Sequence, residues 1–133
     1  MSLQTLLVDD DKIVIFLHKT MVVKTGISTQ PLVFNDGKQA LDFLKAQYSE
    51  ENAYLILLDI NMPIMNGWEF LDAIQELSYA NKLYIIMVTS SVDGADKEMA
   101  KKYPQVIGYI EKPIDLNKWK SIKEIPVIAD FFI

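Results

Sequence analysis

Apolar residues form two patterns along this chain: short unbroken runs, and longer stretches in which they recur every three or four positions. Short apolar runs bounded by turn residues are typical of strands buried on both faces, and the longer period is typical of amphipathic helices. The runs predict strands at 3–8, 29–34, 54–58, 83–88 and 106–110. The longer period predicts helices at 12–24 and 37–48, one opening at Asn66, one at 95–103 and one from about Asp115.

Two of these elements carry further detail. Pro31 interrupts the second strand, and because proline lacks a backbone N–H, this strand is predicted near an edge of the sheet. The first helix carries Val14, Leu17 and Met21 on one face, which we take as its apolar face.

Strands that alternate with helices indicate βαβ units on a parallel sheet covered by helices on both sides. Right-handed crossovers leave few topologies for such a chain. The predicted fold class is α/β, a flavodoxin-like doubly wound five-stranded parallel sheet of order 2-1-3-4-5 with five helices.

Composition narrows the function classes. A chain of 133 residues is long enough for one domain with a real core, and no apolar stretch approaches the ~18 residues of a membrane span. The absence of cysteine excludes disulfides and thiolate metal sites. The net charge of −5 argues against direct DNA binding. With no basic apolar leader at the N-terminus, we expect a cytoplasmic protein without a signal peptide or membrane attachment.

Polar side chains follow four of the five predicted strands, where parallel strands place their C-terminal ends at one edge of the sheet. These groups are Asp9-Asp10-Asp11, Asp59, Thr89-Ser90-Ser91 and Glu111-Lys112-Pro113. Each group alone also fits a simpler role, as a helix cap, a polar loop or an exposed lysine. Their joint position at the ends of neighbouring strands predicts one shallow cleft.

The carboxylates in this cleft suit a divalent cation. Neighbouring carboxylates repel one another, and Mg²⁺, which prefers oxygen ligands, removes that conflict. Asp9 and Asp10 would hold the metal, Asp59 could share it, and a backbone carbonyl near Asn61 could add another oxygen.

Asp59 could then act as a nucleophile. A carboxylate that attacks phosphorus forms an aspartyl phosphate, and it needs no general base because it is already ionised at neutral pH. The transferring group needs positive charge and hydrogen-bond donors around its oxygens, which Lys112 and Thr89 could supply.

Four motifs together resemble the receiver domain of two-component response regulators, over residues 3 to about 124. They are Leu-Val-Asp-Asp at 7–10, Leu-Asp-Ile-Asn-Met-Pro-Ile-Met-Asn-Gly at 58–67, Val-Thr-Ser at 88–90 and Gly-Tyr-Ile-Glu-Lys-Pro at 108–113. The resemblance implies these roles: phosphoacceptor Asp59, Mg²⁺-binding acidic pair Asp9 and Asp10, metal-binding backbone carbonyl of Asn61, switch hydroxyl Thr89, switch aromatic Tyr109, phosphoryl-binding Lys112, and a cis Lys112–Pro113 bond.

The same resemblance implies a signalling phosphoprotein and not a conventional enzyme. A histidine kinase or histidine phosphotransfer protein of a phosphorelay would donate the phosphoryl group. Movement of Thr89 toward the phosphoryl group and of Tyr109 into the vacated space would change the surface of helix 4, strand 5 and helix 5, about residues 94–123. A downstream protein partner, still unidentified, would bind that surface.

We expect one receiver domain over residues 1–133, with a core at about 3–124, an apolar extension at 125–133 and no effector domain. Pro126 interrupts the last helix, and a second short helix could begin there. The apolar extension could fold back on the core, form a homodimer or meet another partner.

Other interpretations fit the residues less well, including an unphosphorylated, degenerate receiver, since none of the key positions is missing. A haloacid-dehalogenase-type phosphatase with Asp59 as nucleophile would need a second aspartate two positions later, where this chain has Asn61. A flavin-binding protein would need a Ser/Thr/Gly-rich phosphate loop in place of the acidic first loop. His18 as a phosphorylated histidine is disfavoured because it lies in the middle of a helix, so we interpret it as a helix-face residue.

Overall fold

The computed structural model of the protein describes residues 1–90 and 93–133. One five-stranded parallel sheet of order β2-β1-β3-β4-β5 forms its centre, which confirms the predicted fold class. The strands are β1 (Ser2–Val8), β2 (Leu32–Phe34), β3 (Asn52–Leu58), β4 (Leu83–Thr89) and β5 (Val106–Glu111).

Helices follow each strand, and a further short helix ends the chain. They are α1 (Lys12–Lys24), α2 (Gly37–Gln47), α3 (Gly67–Ile74), α4 (Gly94–Ala100), α5 (Leu116–Ile122) and α6 (Pro126–Ala129), with 3₁₀ turns at Ala80–Lys82 and Asp130–Phe132. Among the described residues, none of these helices has the length and apolar character needed to cross a bilayer.

Strand β3 is buried along nearly its whole length because helices cover both faces of the sheet. Alternate side chains of the strand enter two separate cores. Tyr54, Ile56 and Leu58 pack in the core under α2, α3 and α4. Leu55 and Leu57 pack in the core under α1, α5 and α6. An unbroken apolar run in the sequence is thus the mark of a central strand.

Strand β2 is an edge strand, as Pro31 predicts, but it is shorter than the predicted run at 29–34. It begins at Leu32, directly after Pro31, and pairs with β1 over only three residues. Since proline has no N–H to donate to the neighbouring strand, the ladder starts after it.

Helix α1 buries a different face from the one that its apolar pattern suggests. Its buried residues are His18 and Val22, whereas Leu17 is 54% exposed. The helix is apolar on nearly every side, so the sequence alone does not single out the face that meets the sheet. Ile15 and Met21 pack partly against the same core, and the exposed apolar residues of the helix are Ile13, Phe16, Leu17 and Val23.

Side-chain caps fix where the helices begin. Asp36 caps α2 by accepting a hydrogen bond from the backbone N–H of Gln39, at 2.9 Å. Asn66 and Glu69 form the reciprocal capping box that their spacing predicts, with contacts of 2.9 and 3.0 Å. The cap at Asn66 turns the loop that follows β3 into α3.

The apolar extension folds back on the core. Ile128 in α6 is fully buried, and Phe131 and Phe132 pack against the same core as Trp119 of α5. Lys123 lies 5.7 Å from the centre of the Phe132 ring. The apolar extension therefore packs within its own chain, as the fold-back arrangement predicts.

Candidate functional site

The hydrogen-bonding register of the sheet brings Asp9 and Asp59 together. Val8 of β1 is the Cα partner of Leu58 in β3, so the residue after each strand emerges at the same edge. The backbone N–H of Asp59 donates to the carbonyl of Val8 at 3.0 Å, which fixes the two strand ends. The position of this acidic pair therefore follows from strand pairing.

Three carboxylates gather at this edge: one oxygen each of Asp9, Asp10 and Asp59 lie within 4.8 Å of one another. Asp9 and Asp59 are buried, and Asp10 is exposed. Asp11, the third member of the run, instead caps α1 by accepting from the backbone N–H groups of Ile13 and Val14. The helix-cap interpretation thus holds for Asp11, while Asp9 and Asp10 belong to the cluster.

Lys112 reaches the cluster from the end of β5. Its Nζ lies 2.6 Å from Oδ2 of Asp9 and 3.7 Å from Oδ1 of Asp59. Its backbone N–H donates to the carbonyl of Thr89 at 2.8 Å, and the following bond to Pro113 is cis. The ammonium group is therefore held among the buried carboxylates by a loop that is itself tied to β4.

Burial raises the pKa of the Asp59 carboxyl from 3.8 to about 6. The value of about 6 already includes the charge of Asp9, which adds to the effect of burial, and it includes Lys112 and the hydrogen bond from the backbone N–H of Ile60, which lower the pKa. Without a cation, the carboxylate form is thus disfavoured at this position. A divalent cation would restore it.

The donor set at this edge is compatible with a metal site. Carboxylate oxygens are hard ligands, and those of Asp9, Asp10 and Asp59 are close enough to share one ion. Asn61 follows Asp59 by two positions in the same loop and is exposed.

The loop between β3 and α3 is tightly constrained. A Cβ atom at Gly67 would lie 2.6 Å from the carbonyl oxygen of Asp59, so only glycine fits there. Ile64 has φ of 68°, a left-handed conformation that branched side chains rarely adopt, and it is 79% exposed. The loop thus holds Asp59 by close backbone packing and contains one strained residue.

The two residues with implied switch roles lie beside this edge. Thr89 is fully buried at the end of β4. Tyr109 in β5 packs against the core under α4, and its buried hydroxyl has no hydrogen-bond partner within residues 1–90 and 93–133. Ser91, part of the Thr89-Ser90-Ser91 group, lies outside the described residues.

Comparison with known proteins identifies the family, because the sequence pattern of the response regulator receiver domain matches residues 5–123. The chain belongs to this family. As a receiver domain it is a module of two-component signalling and not a conventional enzyme, and its acidic cluster is typical of the family's phosphoacceptor site. This assignment removes the support for the phosphatase and flavin interpretations.

Relatives of this receiver domain include regulators from an alga, a plant and a bacterium. Two-component response regulator 24 of Arabidopsis thaliana is 31% identical, over 91% of this chain and 81% of that protein. Probable transcriptional regulator ycf29 of Pyropia yezoensis is 32% identical over 92% of this chain, which spans only 52% of that protein. The crystal structure of a two-component response regulator from Cytophaga hutchinsonii superposes with a TM-score of 0.84 at 29% identity, covering 97% of this chain and 98% of that one.

Sequence reasoning missed the surroundings of His18. This histidine is nine-tenths buried, and its ring meets that of Trp119 edge-on, with centroids 5.2 Å apart. Burial and the charge of Lys112 lower its pKa from 6.5 to about 4, so the ring is neutral at pH 7. No local signal in the sequence places His18 on the buried face, because α1 carries apolar residues on nearly every side.

Proposed function

We propose that Asp59 of this receiver domain accepts a phosphoryl group from a histidine kinase or a histidine phosphotransfer protein. The observation that carries the proposal is the grouping of Asp59 with Asp9, Asp10 and Lys112 at one edge of the sheet. Receiver domains as a family take their phosphoryl groups from histidine kinases. In this chain Asp59 is the carboxylate that follows the central strand β3.

In the proposed reaction, a carboxylate oxygen of Asp59 forms the new bond to phosphorus. The bond between phosphorus and the donor's histidine nitrogen breaks, and that nitrogen keeps the electron pair and takes a proton from solvent. Lys112 lies 3.7 Å from Asp59, where its charge can stabilise the phosphoryl oxygens during transfer. The Thr89 hydroxyl would donate to the same oxygens once the acyl phosphate has formed.

The carboxylate cluster supports Mg²⁺ as the bound cation. Asp9, Asp10 and Asp59 would hold it through carboxylate oxygens, with the backbone carbonyl of Asn61 as a further ligand. When bound, the cation would neutralise charge on the carboxylates and on the phosphoryl oxygens. Lys112, which already neutralises Asp9, would keep the site from becoming too negative to admit a phosphoryl donor.

Phosphorylation would change the surface formed by α4, β5 and α5. A phosphoryl group adds about −1.5 to −2 charges, which favours movement of the Thr89 hydroxyl toward it. The ring of Tyr109, whose hydroxyl has no partner among the described residues, would move into the space beside β4. A downstream protein would bind the changed surface, and we propose no contact with DNA by this domain.

The chain is shorter than several of the relatives that it matches. This chain spans about half of the length of ycf29. From its receiver domain we propose a histidine-containing phosphodonor, a downstream protein partner and a cytoplasmic location for the protein.

Labelling by a small phosphoryl donor tests the site without a cognate kinase. The protein is mixed with acetyl phosphate and Mg²⁺, and its intact mass is followed over time. One added phosphoryl group is expected, and it should be absent in Asp59→Asn and in samples treated with EDTA. The matched control is Asp42→Asn, which changes an exposed carboxylate on α2 and should be labelled like the wild type.

Two results would contradict the proposal. Labelling that persists in Asp59→Asn would place the acceptor elsewhere. Steady release of phosphate by the wild type with no detectable adduct at any time would instead favour a phosphatase.

A further inference from the structure

A pocket of about 440 Å³ opens between α1 and the loop from β5 to α5. We call it the α1–β5 pocket. Its apolar wall consists of Val14, Leu17 and Met21 from α1, together with Pro113, Ile114 and Trp119. Its polar wall consists of His18, Ser90 and Lys112. Concave sites with apolar walls and a few convergent polar groups are typical of small-molecule binding sites.

His18 is a polar group in this pocket that the fold leaves without a hydrogen bond. The side chain is only 9% exposed, and its ring contact is with Trp119. Across residues 1–90 and 93–133, neither ring nitrogen has a hydrogen-bond partner. A neutral imidazole offers one donor and one acceptor, and the His18 ring nitrogens are not among the buried polar atoms without a partner, so they are open to the pocket. A ligand with a hydrogen-bonding group can therefore pair with His18 in place of solvent.

The charges around the pocket favour an uncharged ligand. The ammonium group of Lys112 is already paired with Asp9 at 2.6 Å, and Asp59 lies at 3.7 Å. An anion beside Lys112 would therefore meet carboxylates that repel it. No carboxylate lies in the wall formed by the described residues, so a cation would be buried there without a partner.

We propose that the α1–β5 pocket binds a small, uncharged, mainly apolar molecule with one hydrogen-bonding group, which pairs with His18. The apolar part of this ligand contacts the α1 side chains Val14, Leu17 and Met21. Lys112 and the adjacent Pro113 belong both to the pocket wall and to the loop that reaches the carboxylate cluster, so the bound molecule lies next to the phosphorylation machinery. Binding does not require phosphorylation and survives in Asp59→Asn.

Protein-observed NMR with four probes of similar size tests the proposal on the full chain. The probes are para-cresol, toluene, benzoate and benzylammonium, and the signal is the indole N–H resonance of Trp119. The other tryptophan, Trp68, packs in the core on the opposite face of the sheet and serves as an internal reference. We expect para-cresol to shift the Trp119 signal saturably, with a Kd on the order of 1 mM, and to leave Trp68 unchanged.

The probe series tests each part of the assignment. Para-cresol should bind about fivefold more tightly than toluene, which lacks the hydroxyl group. Benzoate and benzylammonium should bind at least about tenfold more weakly than para-cresol because they bring an unpaired charge.

Two variants locate the site. His18→Phe keeps an aromatic ring against Trp119 but removes the hydrogen bond, so para-cresol should lose its advantage over toluene. Leu17→Phe, at the wall of the pocket, should weaken both probes. The matched control is Ile13→Phe on the outward side of α1, where the side chain is 73% exposed, and it should leave both affinities unchanged.

Several results would overturn the proposal. These are no saturable shift at Trp119, equal affinities for para-cresol and toluene, tighter binding of benzoate, or unaltered binding in Leu17→Phe. A protein interface at this pocket would give a different pattern. The pocket would take no probe, and Leu17→Phe would be labelled normally by acetyl phosphate but poorly by a phosphorylated protein donor.

Discussion

At the scale of single residues, burial changes the charge preference of two side chains in opposite directions. Burial raises the pKa of Asp59 to about 6 and lowers that of His18 to about 4. Both groups therefore favour their neutral forms in the folded chain. As the pH falls, Asp59 adds to the stability of the fold because its folded form binds a proton more tightly than its unfolded form. His18 lowers the stability because its folded form binds a proton more weakly.

Replacement of Asp59 by asparagine should stabilise the metal-free protein at pH 7. Ionisation of the buried carboxylate removes stability as the pH rises from about 4 through 6, and the amide never ionises. We expect Asp59→Asn to be about 2–3 kcal/mol more stable than the wild type at pH 7. Urea unfolding in EDTA measures the difference, which should shrink as the pH falls and vanish below about pH 3. His18 is present in both proteins, so its opposite contribution cancels, and equal stabilities at pH 7 would contradict the assigned pKa.

Ile64 carries strain that a different side chain should relieve. Its φ of 68° disfavours a branched residue by about 1–2 kcal/mol, whereas asparagine tolerates this region. We expect Ile64→Asn to raise the free energy of unfolding by about 1 kcal/mol. The control is Ile64→Ala, which keeps a Cβ in the same conformation and should recover less. A destabilised Ile64→Asn would show that the exposed isoleucine makes contacts that compensate for its strain.

At the scale of secondary-structure elements, sequence patterns predicted the order of strands and helices because local rules govern them. The apolar run that became β3, the proline before β2 and the capping box at Asn66 each act within a few residues. The buried face of α1 was not predictable in this way. Its pattern is apolar on most sides, and only packing against Trp119 selects His18 and Val22.

The carboxylate cluster was predictable to the same extent as the sheet. Once the strand order is known, the residues after β1, β3 and β5 must meet, which places Asp9, Asp59 and Lys112 together. The distances depend on three-dimensional packing, and so do the pKa of Asp59 and the pocket beside His18. No local pattern encodes these properties, because they arise between residues far apart in the chain.

Helix α6 should contribute to stability through Ile128. This side chain is fully buried against the core of α1 and α5, so its truncation leaves a cavity. We expect Ile128→Ala to lower the free energy of unfolding by about 2–4 kcal/mol, measured by urea denaturation. The neighbouring Val127 is 51% exposed, and Val127→Ala should change stability by less than about 0.5 kcal/mol. Similar effects for the two variants would mean that the apolar extension does not pack as an element of the fold.

At the scale of the whole molecule, the carboxylate cluster links metal binding to folding. Only the folded chain brings Asp9, Asp10 and Asp59 together, so a cation that binds them stabilises the native state. At a Mg²⁺ concentration one hundred times the Kd, we expect a gain of about 2.7 kcal/mol. Urea unfolding with and without MgCl₂ measures it, and NaCl at equal ionic strength controls for screening of the net charge of −5. Asp10→Asn, which alters an exposed member of the cluster, should lose most of the gain, and a gain retained in full would mean that the cation binds elsewhere.

The ion pair between Asp9 and Lys112 joins residues that are 103 positions apart, near the two ends of the chain. Asp59 emerges from the ribosome long before Lys112, and β5 can join the sheet only after nearly the whole domain has been made. A growing or truncated chain would thus present the aspartate without its lysine. Asp59 would become able to accept a phosphoryl group only when synthesis and folding of the domain are complete. Incomplete chains would therefore not compete with finished ones for the phosphoryl donor.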